Sequence, residues 1–366
     1  MSVASMASST DLDLVNVTKR FGSHRAVDDV TFSVAPGEFF SILGPSGCGK
    51  TTLMRMIAGF EEPSSGDIRI RGKSMIGVPA NRRPVNMVFQ SLALFPMMSV
   101  GENVAYGLIC RGVGRPEAHE RAARMLERVG LRGFGERRVT ALSGGQRQRV
   151  AIARCLVLEP TLVLLDEPLG ALDLKLREHM KIELKQLQNT FNTTFAYITH
   201  DQSEALVMSD RIAVMNQGRF EQVGSPRGLY HNPATPFVAS FVGETNRWQG
   251  EIVSAVNGTA ALRLPSGAVI LGEGPASQKA ALGFVRPEAI ALAQDQSALA
   301  SLPNRFEGRV SAVLFDGANS SLLIETPGFD QPIRAVLPQA GSLAGLEVGA
   351  PIHLGWTAGA MKVFAA

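Results

Sequence analysis

The stretch Gly44-Pro45-Ser46-Gly47-Cys48-Gly49-Lys50-Thr51-Thr52-Leu53 directly follows the apolar run Phe39-Phe40-Ser41-Ile42-Leu43. No other feature restricts the fold as much. A glycine, four residues and then Gly-Lys-Thr is the phosphate-loop pattern, which works between a strand and a helix. The glycines let the backbone turn so that successive N–H groups face one anion. A helix running on from Thr51 adds its positive end. Lys50 reaches the β- and γ-phosphates of a nucleotide, and Thr51 offers a hydroxyl to Mg²⁺. Glycine makes up about 7% of an average chain, so this match is seldom an accident. The nucleotide ligands read here are Gly44, Ser46, Gly47, Cys48, Gly49, Lys50, Thr51 and Thr52. Cys48 stands beside Lys50 at a helix start, which favours the thiolate. It is therefore expected to be the most reactive of the three cysteines.

Around this loop, the first two-thirds of the chain alternate short apolar runs with helical patterns. That predicts an α/β domain on a mainly parallel sheet. Residues 39–43, 85–89, 162–165 and 195–198 read as strands. Leu176, Met180, Leu184, Leu187 and Phe191 share one helical face after the third of these. Residues 100–156 are richer in helix and read as an inserted subdomain. After Asn246, short alternating segments bounded by Gly, Pro and Asn predict an all-β domain, a small barrel or a pair of barrels. The expected divisions are a disordered tail over 1–10, a nucleotide domain over 11–243 with its helical part near 91–157, and a β-rich domain over 247–366.

Two further stretches carry chemistry. The apolar run 161–165 ends in Asp166 and Glu167. Asp166 would hold Mg²⁺ through water and Glu167 would polarise the attacking water. Taken alone, Glu167 reads equally as a solvated strand end. In Leu142-Ser143-Gly144-Gly145-Gln146, a hydroxyl and bare N–H groups precede a helical run. This is a second anion site or an ordinary serine cap. Two anion sites raise the possibility that both grip one nucleotide.

These stretches, together with Gly170-Ala171-Leu172-Asp173 and Ile198-Thr199-His200-Asp201, keep the order and spacing of ABC transporter ATPase subunits. Residues 12–243 resemble that family. The resemblance implies an α/β P-loop NTPase, a RecA-like core with antiparallel β and helical subdomains. An all-β, OB-like regulatory domain of the importer type would follow. It also implies a head-to-tail homodimer, with ATP between the phosphate loop of one copy and Ser143, Gly144, Gly145 and Gln146 of the other. Gln90 would sense Mg²⁺ and, with Leu94, Phe95 and Pro96, face the membrane partner. His200 would contact the γ-phosphate, completing a catalytic set with Glu167 and Gln90. Asp173 would belong to the dimer-contacting loop, and Phe21 would stack on adenine. Gly170 replaces a serine common in that loop, and Gly228 stands where an acidic residue is usual.

Residues 82–108 and 241–246 look most like spermidine/putrescine importers, although sugar, ferric iron and sulfate importers share much of them. The implied partners are a second copy, two transmembrane permease subunits and, indirectly, a solute-binding protein. The implied place is the cytoplasmic face of the inner membrane. No apolar run approaches the ~18 residues of a spanning helix, and residues 1–10 lack a signal-peptide pattern. Cys48, Cys110 and Cys155 are too scattered for a disulfide framework or zinc site, which suits a reducing cytosol. The competing reading is a soluble ABC ATPase acting on nucleic acid. The net charge of +3 divides into −1 from Arg247 onward and +4 before it, with no basic stripe. Trp248, Phe284, Phe306, Phe315 and Trp356 are read as core, not stacking platforms. No nucleic-acid partner is therefore expected.

Overall fold

The computed structural model describes residues 10–170, 172–274, 280–338, 343 and 345–366. The tail expected over 1–10 lies, apart from Thr10, outside the described residues. The chain forms two compact units, Met1–Asn232 and Pro233–Ala366.

The first unit opens with β1 (Leu12–Phe21) and β2 (His24–Val34), then β3 (Phe39–Leu43) and α1 (Lys50–Ala58). There follow β4 (Ser65–Ile70), β5 (Lys73–Ser74) and β6 (Val85–Val88), then α2 (Val100–Cys110), α3 (Arg115–Arg128) and α4 (Gly144–Leu156). The unit closes with β7 (Leu162–Asp166), α5 (Leu174–Phe191), β8 (Thr194–Thr199), α6 (Gln202–Met208), β9 (Arg211–Asn216), β10 (Arg219–Gly224) and α7 (Pro226–His231). A six-stranded sheet runs β10-β9-β3-β8-β7-β6, with only the β9/β10 pair antiparallel. A separate antiparallel sheet runs β2-β1-β4-β5.

All five residues of β3 and all six of β8 are buried. Strands covered on both faces read as unbroken apolar runs. Alternate residues serve two cores. Phe39, Leu165, Phe195 and Tyr197 join α2, α3, α4 and α5 on one side. Phe40, Ile42, Leu164 and Ile198 join α1 and the antiparallel sheet on the other. Each such fully buried side chain contributes roughly 1.5–3 kcal/mol. Several of the helices start at side-chain caps. Ser99 with Glu102, and Ser143 with Gln146, form capping boxes before α2 and α4.

A buried arginine ties α1 to the approach to β6. Arg83, 4% exposed, donates to the carbonyls of Met56, Ile57, Met75 and Val78 at 2.7–2.9 Å. Two of these carbonyls lie in the last turn of α1, where a cation is favourable.

The second unit begins with α8 (Pro236–Phe241). The division at Pro233 precedes the change of sequence pattern near Gly243 because Ala239 of α8 packs with Leu282 and Phe284 of the β domain. The strands are β11 (Asn246–Val256), β12 (Thr259–Arg263), β13 (Val269–Glu273), β14 (Ala280–Val285), β15 (Ala291–Ala293), β16 (Asn304–Leu314), β17 (Ser321–Glu325), β18 (Ile333–Val336), β19 (Pro351–Trp356) and β20 (Met361–Ala365). They build one closed barrel, β11-β12-β13-β20-β14, and one five-stranded sheet, β15-β19-β16-β17-β18. Trp248 stacks on Trp356 at 5.4 Å, and Phe306 lies 5.4 Å from Trp356. Phe284 is buried as well. Phe315 departs from the expectation that it is core. It is 83% exposed, because it follows β16 in the turn before β17.

Candidate functional site

The phosphate loop connects β3 to α1 and needs its glycines. Gly49 sits at φ 110°, and a Cβ there would lie 2.2 Å from the Ala26 carbonyl oxygen. A Cβ on Gly44 would lie 2.3 Å from the Met215 carbonyl oxygen. Gly47, at φ 79°, has open space where a side chain would stand. No side chain caps α1, so the amides of its first turn, which have no intrahelical partners, remain for a ligand. Thr51 is exposed and Thr52 half-buried at this helix start. The Lys50 ammonium is buried and donates to the carbonyls of Gly44 and Pro45 at 2.8 and 2.9 Å.

The structure corrects the reading of Cys48. Its side chain packs in the core beneath the loop, with Leu53, Ile57 and Met215 in the same cluster. Burial pushes its thiol up, outweighing the Lys50 ammonium 3.8 Å away. Cys155 is also buried and is pushed up to about 12 by burial. Cys110 is the exposed thiol.

Three polar side chains converge past the ends of β6, β7 and β8. His200 Nδ1 lies 3.1 Å from Glu167 Oε1, and Gln90 Nε2 points at Glu167 Oε2 from 3.5 Å. Glu167 has φ 45°, a left-handed conformation that is costly for a side chain of its kind. Its amide donates to the Ile198 carbonyl, which holds the turn after β7 against β8. Next to it, the Asp166 carboxyl is pushed up by burial and by Glu167, with Arg55 and Lys50 opposing. Behind His200 lies a buried polar knot. Glu204 Oε2 accepts from Tyr197 Oη at 2.7 Å and from Thr199 Oγ1 at 2.5 Å.

The remaining candidates are placed apart. Ser143 Oγ accepts from the Gln146 amide, and Gln146 Oε1 accepts from the Ser143 amide. Gly144 and Gly145 leave room for Leu172 and Leu176. Among the described residues, no hydrogen bond or ion pair joins residues 143–146 to residues 44–52. Asp173 caps α5 by accepting from the Leu176 amide. Phe21 ends β1 half-exposed, with the Lys19 ammonium 5.0 Å from its ring centre.

After Gln90 the chain makes a turn that the sequence did not announce. Leu92 and Ala93 have φ 60° and 45°, and Arg154 of α4 donates to both of their carbonyls. Leu94 is partly buried, and Phe95 packs on Tyr106 at 4.8 Å. Gln90, Leu94 and Pro96 line a cavity of about 320 Å³ together with Gly144 and Gln148 of α4. The Gln148 amide is buried there without a protein hydrogen-bond partner. Arginine at one turn and a buried glutamate at another carry no signal in the sequence alone.

Two family models match: the ABC transporter model over residues 27–170 and the TOBE domain over residues 284–364. A spermidine/putrescine import ATP-binding protein PotA of Rubrobacter xylanophilus is 48% identical over 351 residues, 94% of this chain and 91% of that protein. A protein of the same name from Pseudomonas aeruginosa is 47% identical over 354 residues, covering 94% and 96%. Among solved structures, the dimeric, post-hydrolysis ATP-binding cassette MJ0796 bound to ADP and Pi is 33% identical. It matches 59% of this chain and 99% of its own, with a TM-score of 0.52. CbiO1 of Clostridium perfringens, part of the ABC transporter complex cbiONQ, is 28% identical. It matches 60% of this chain and 90% of its own, with a TM-score of 0.55.

Proposed function

We propose that this chain, which belongs to the ATP-binding proteins of the ABC transporter family, is the ATP-hydrolysing motor of an importer whose solute is a polyamine such as putrescine or spermidine. The observation that carries the motor reading is the meeting of Gln90, Glu167 and His200 at the strand ends beside the phosphate loop. The polyamine reading rests on relatives of that name matched over more than nine-tenths of their length. Sugar, ferric iron and sulfate are the competing solutes.

The residues present fit MgATP. Asp166 and Glu167 are adjacent carboxylates, and burial already disfavours charge on Asp166. A divalent cation offsets that, and Mg²⁺ takes few protein ligands, keeping water and phosphate oxygens. Thr51, Asp166 and Gln90 would hold it. Bound MgATP supplies the phosphoanhydride that is cleaved. Glu167 would take the proton of the attacking water, and His200, 3.1 Å from that carboxylate, would orient it while its exposed ring would contact the γ-phosphate. Gly44, Ser46, Gly47, Gly49, Thr51 and Thr52 would contribute backbone amides, with Lys50 as the cation, while the Cys48 amide donates to the Pro45 carbonyl within the loop. Phe21 offers its exposed ring to adenine.

Because residues 143–146 make no bond to residues 44–52, the second anion site is best used by another copy of the chain. That gives a head-to-tail homodimer, with Asp173 near the contact. The cavity beside Gln90, Leu94 and Pro96 would face two permease subunits. No described helix is long and apolar enough to cross a membrane, so the motor would sit on the cytoplasmic face through those partners. A solute-binding protein would deliver the cargo outside.

The first test is Glu167→Gln. ATP turnover should fall by at least about 10²-fold, while nucleotide is retained and gel filtration with ATP gives a dimer. Normal turnover removes Glu167 from the chemistry. The solute is tested by uptake in a strain lacking this chain. Lost putrescine and spermidine uptake supports the reading, and unchanged uptake with lost sugar or iron uptake overturns it.

A further inference from the structure

The knot behind His200 is expensive. Glu204 is 3% exposed and, among the described residues, has no ion pair. A carboxyl group so buried carries a desolvation cost that two hydroxyl donors offset only in part. The cost has to be repaid by something other than stability, and the geometry shows where. Thr199 Oγ1 donates to Glu204 Oε2 and accepts from the Asp201 amide at 2.9 Å. One hydroxyl thus spans His200, fixing the residue before it and the residue after it. Asp201 is held from the other side, its carboxylate accepting from the amides of Ser203 and Glu204. Tyr197, fully buried on β8, supplies the second donor to Glu204. Thr199 also pairs in register with Leu43, the last residue before the phosphate loop. The backbone that carries His200 is therefore referenced to the loop through β8 and locked by one carboxylate.

We infer that Glu204 is a positioning residue: with Tyr197 and Thr199 it holds the His200 ring in line with Glu167, and it contributes to hydrolysis only through that histidine. This rests on the ATPase reading above. A misplaced catalytic group costs on the order of 10²-fold in rate. Because Glu204 does not touch the nucleotide loop, nucleotide binding is left alone.

The test is a double-mutant cycle on the full chain, reading kcat and KM for ATP separately. Glu204→Ala should lower kcat by about 10- to 100-fold with KM changed less than about twofold. Glu204→Gln, which keeps an acceptor oxygen, should recover most of the rate. Thr199→Val, which removes both sides of the staple, should resemble Glu204→Ala, and Tyr197→Phe should do less. In a His200→Ala background, Glu204→Ala should cost less than about twofold more. Additive losses in the cycle overturn the inference, as does a KM that rises in step with any fall in kcat. If Glu204→Ala does not fold, Thr199→Val and its cycle with His200→Ala decide the same question. A wild-type chain without ATPase activity overturns the motor reading itself, and this inference with it. Full wild-type activity in both Glu204→Ala and Thr199→Val overturns this inference alone.

Discussion

Arg83→Met tests how the phosphate-loop helix is held at its far end. The substitution keeps an apolar stem of similar length and removes the guanidinium from four carbonyls. Met56 and Met75 keep a second donor each, the amides of Gly59 and Val78. The Ile57 and Val78 carbonyls lose the donor they have. Each orphaned buried carbonyl costs about 1–3 kcal/mol, and the lost cation at the α1 C-terminus costs about 0.3–1 kcal/mol more. Burial lowers the Arg83 pKa, with Glu62 opposing, so some desolvation cost is recovered. A net loss of about 4 kcal/mol follows, against typical domain stabilities of about 5–15 kcal/mol. With a urea slope of about 2–3 kcal/mol/M, the midpoint should fall by roughly 1.3–2 M. The assay is urea unfolding followed by far-UV circular dichroism, which reports the helices concentrated in the first unit. Arg83→Lys, with one ammonium for four acceptors, should fall between. A loss below about 1 kcal/mol for Arg83→Met would show that these carbonyls find water or other donors, and would sink the reasoning.

Two other outcomes follow from the thiols and from Asp166. N-ethylmaleimide at neutral pH should label Cys110 first and leave Cys48 and Cys155 unmodified in the folded chain. Peptide mapping that finds Cys48 modified earliest would restore the opposite view. Asp166 has its pKa raised in the folded chain, so the native state holds the proton more tightly than the unfolded one. Its contribution is nil below the ordinary carboxylate range and becomes destabilising as pH rises through the folded pKa. Asp166→Asn should therefore melt higher than wild type at pH 7 without nucleotide, with the gap closing in acid. An Asn variant no more stable at pH 7 than in acid, relative to wild type, would refute that sign. With MgATP present, wild type should regain the advantage.

What the sequence makes legible is what periodicity and local motifs encode. The run 39–43 reads as a strand because both sheet faces are covered, and the helical face of α5 is visible at the same level. Gly44, Gly49 and Lys50 are legible because only their types satisfy the loop. The failures are failures of burial. Along the chain, the neighbours of Cys48 are Lys50 and the helix start, whereas in the fold its side chain turns into a core supplied by Met215 and Ile57. Phe315 reads as core on hydrophobicity alone, and its position in a turn decides otherwise. The role of Glu204 is visible only once Tyr197 and Thr199 are seen donating to it. Arg154 likewise gains a purpose only when the left-handed pair Leu92 and Ala93 is seen in front of it.

The strand order of the central sheet bears on how the protein is made. β3 carries the phosphate loop, yet its two neighbours are β8 and β9, residues 194–199 and 211–216. During synthesis, β3 leaves the ribosome long before either neighbour exists. Non-local parallel pairing is slow and leaves apolar strands exposed while it waits. The Phe39–Leu43 run is thus the segment most in need of shielding in the nascent chain. The Met215 carbonyl that crowds Gly44 belongs to β9 and reaches the loop only once that strand has docked. A nascent chain stalled before Arg211 would therefore carry every residue of the loop motif without the β9 backbone that packs against Gly44.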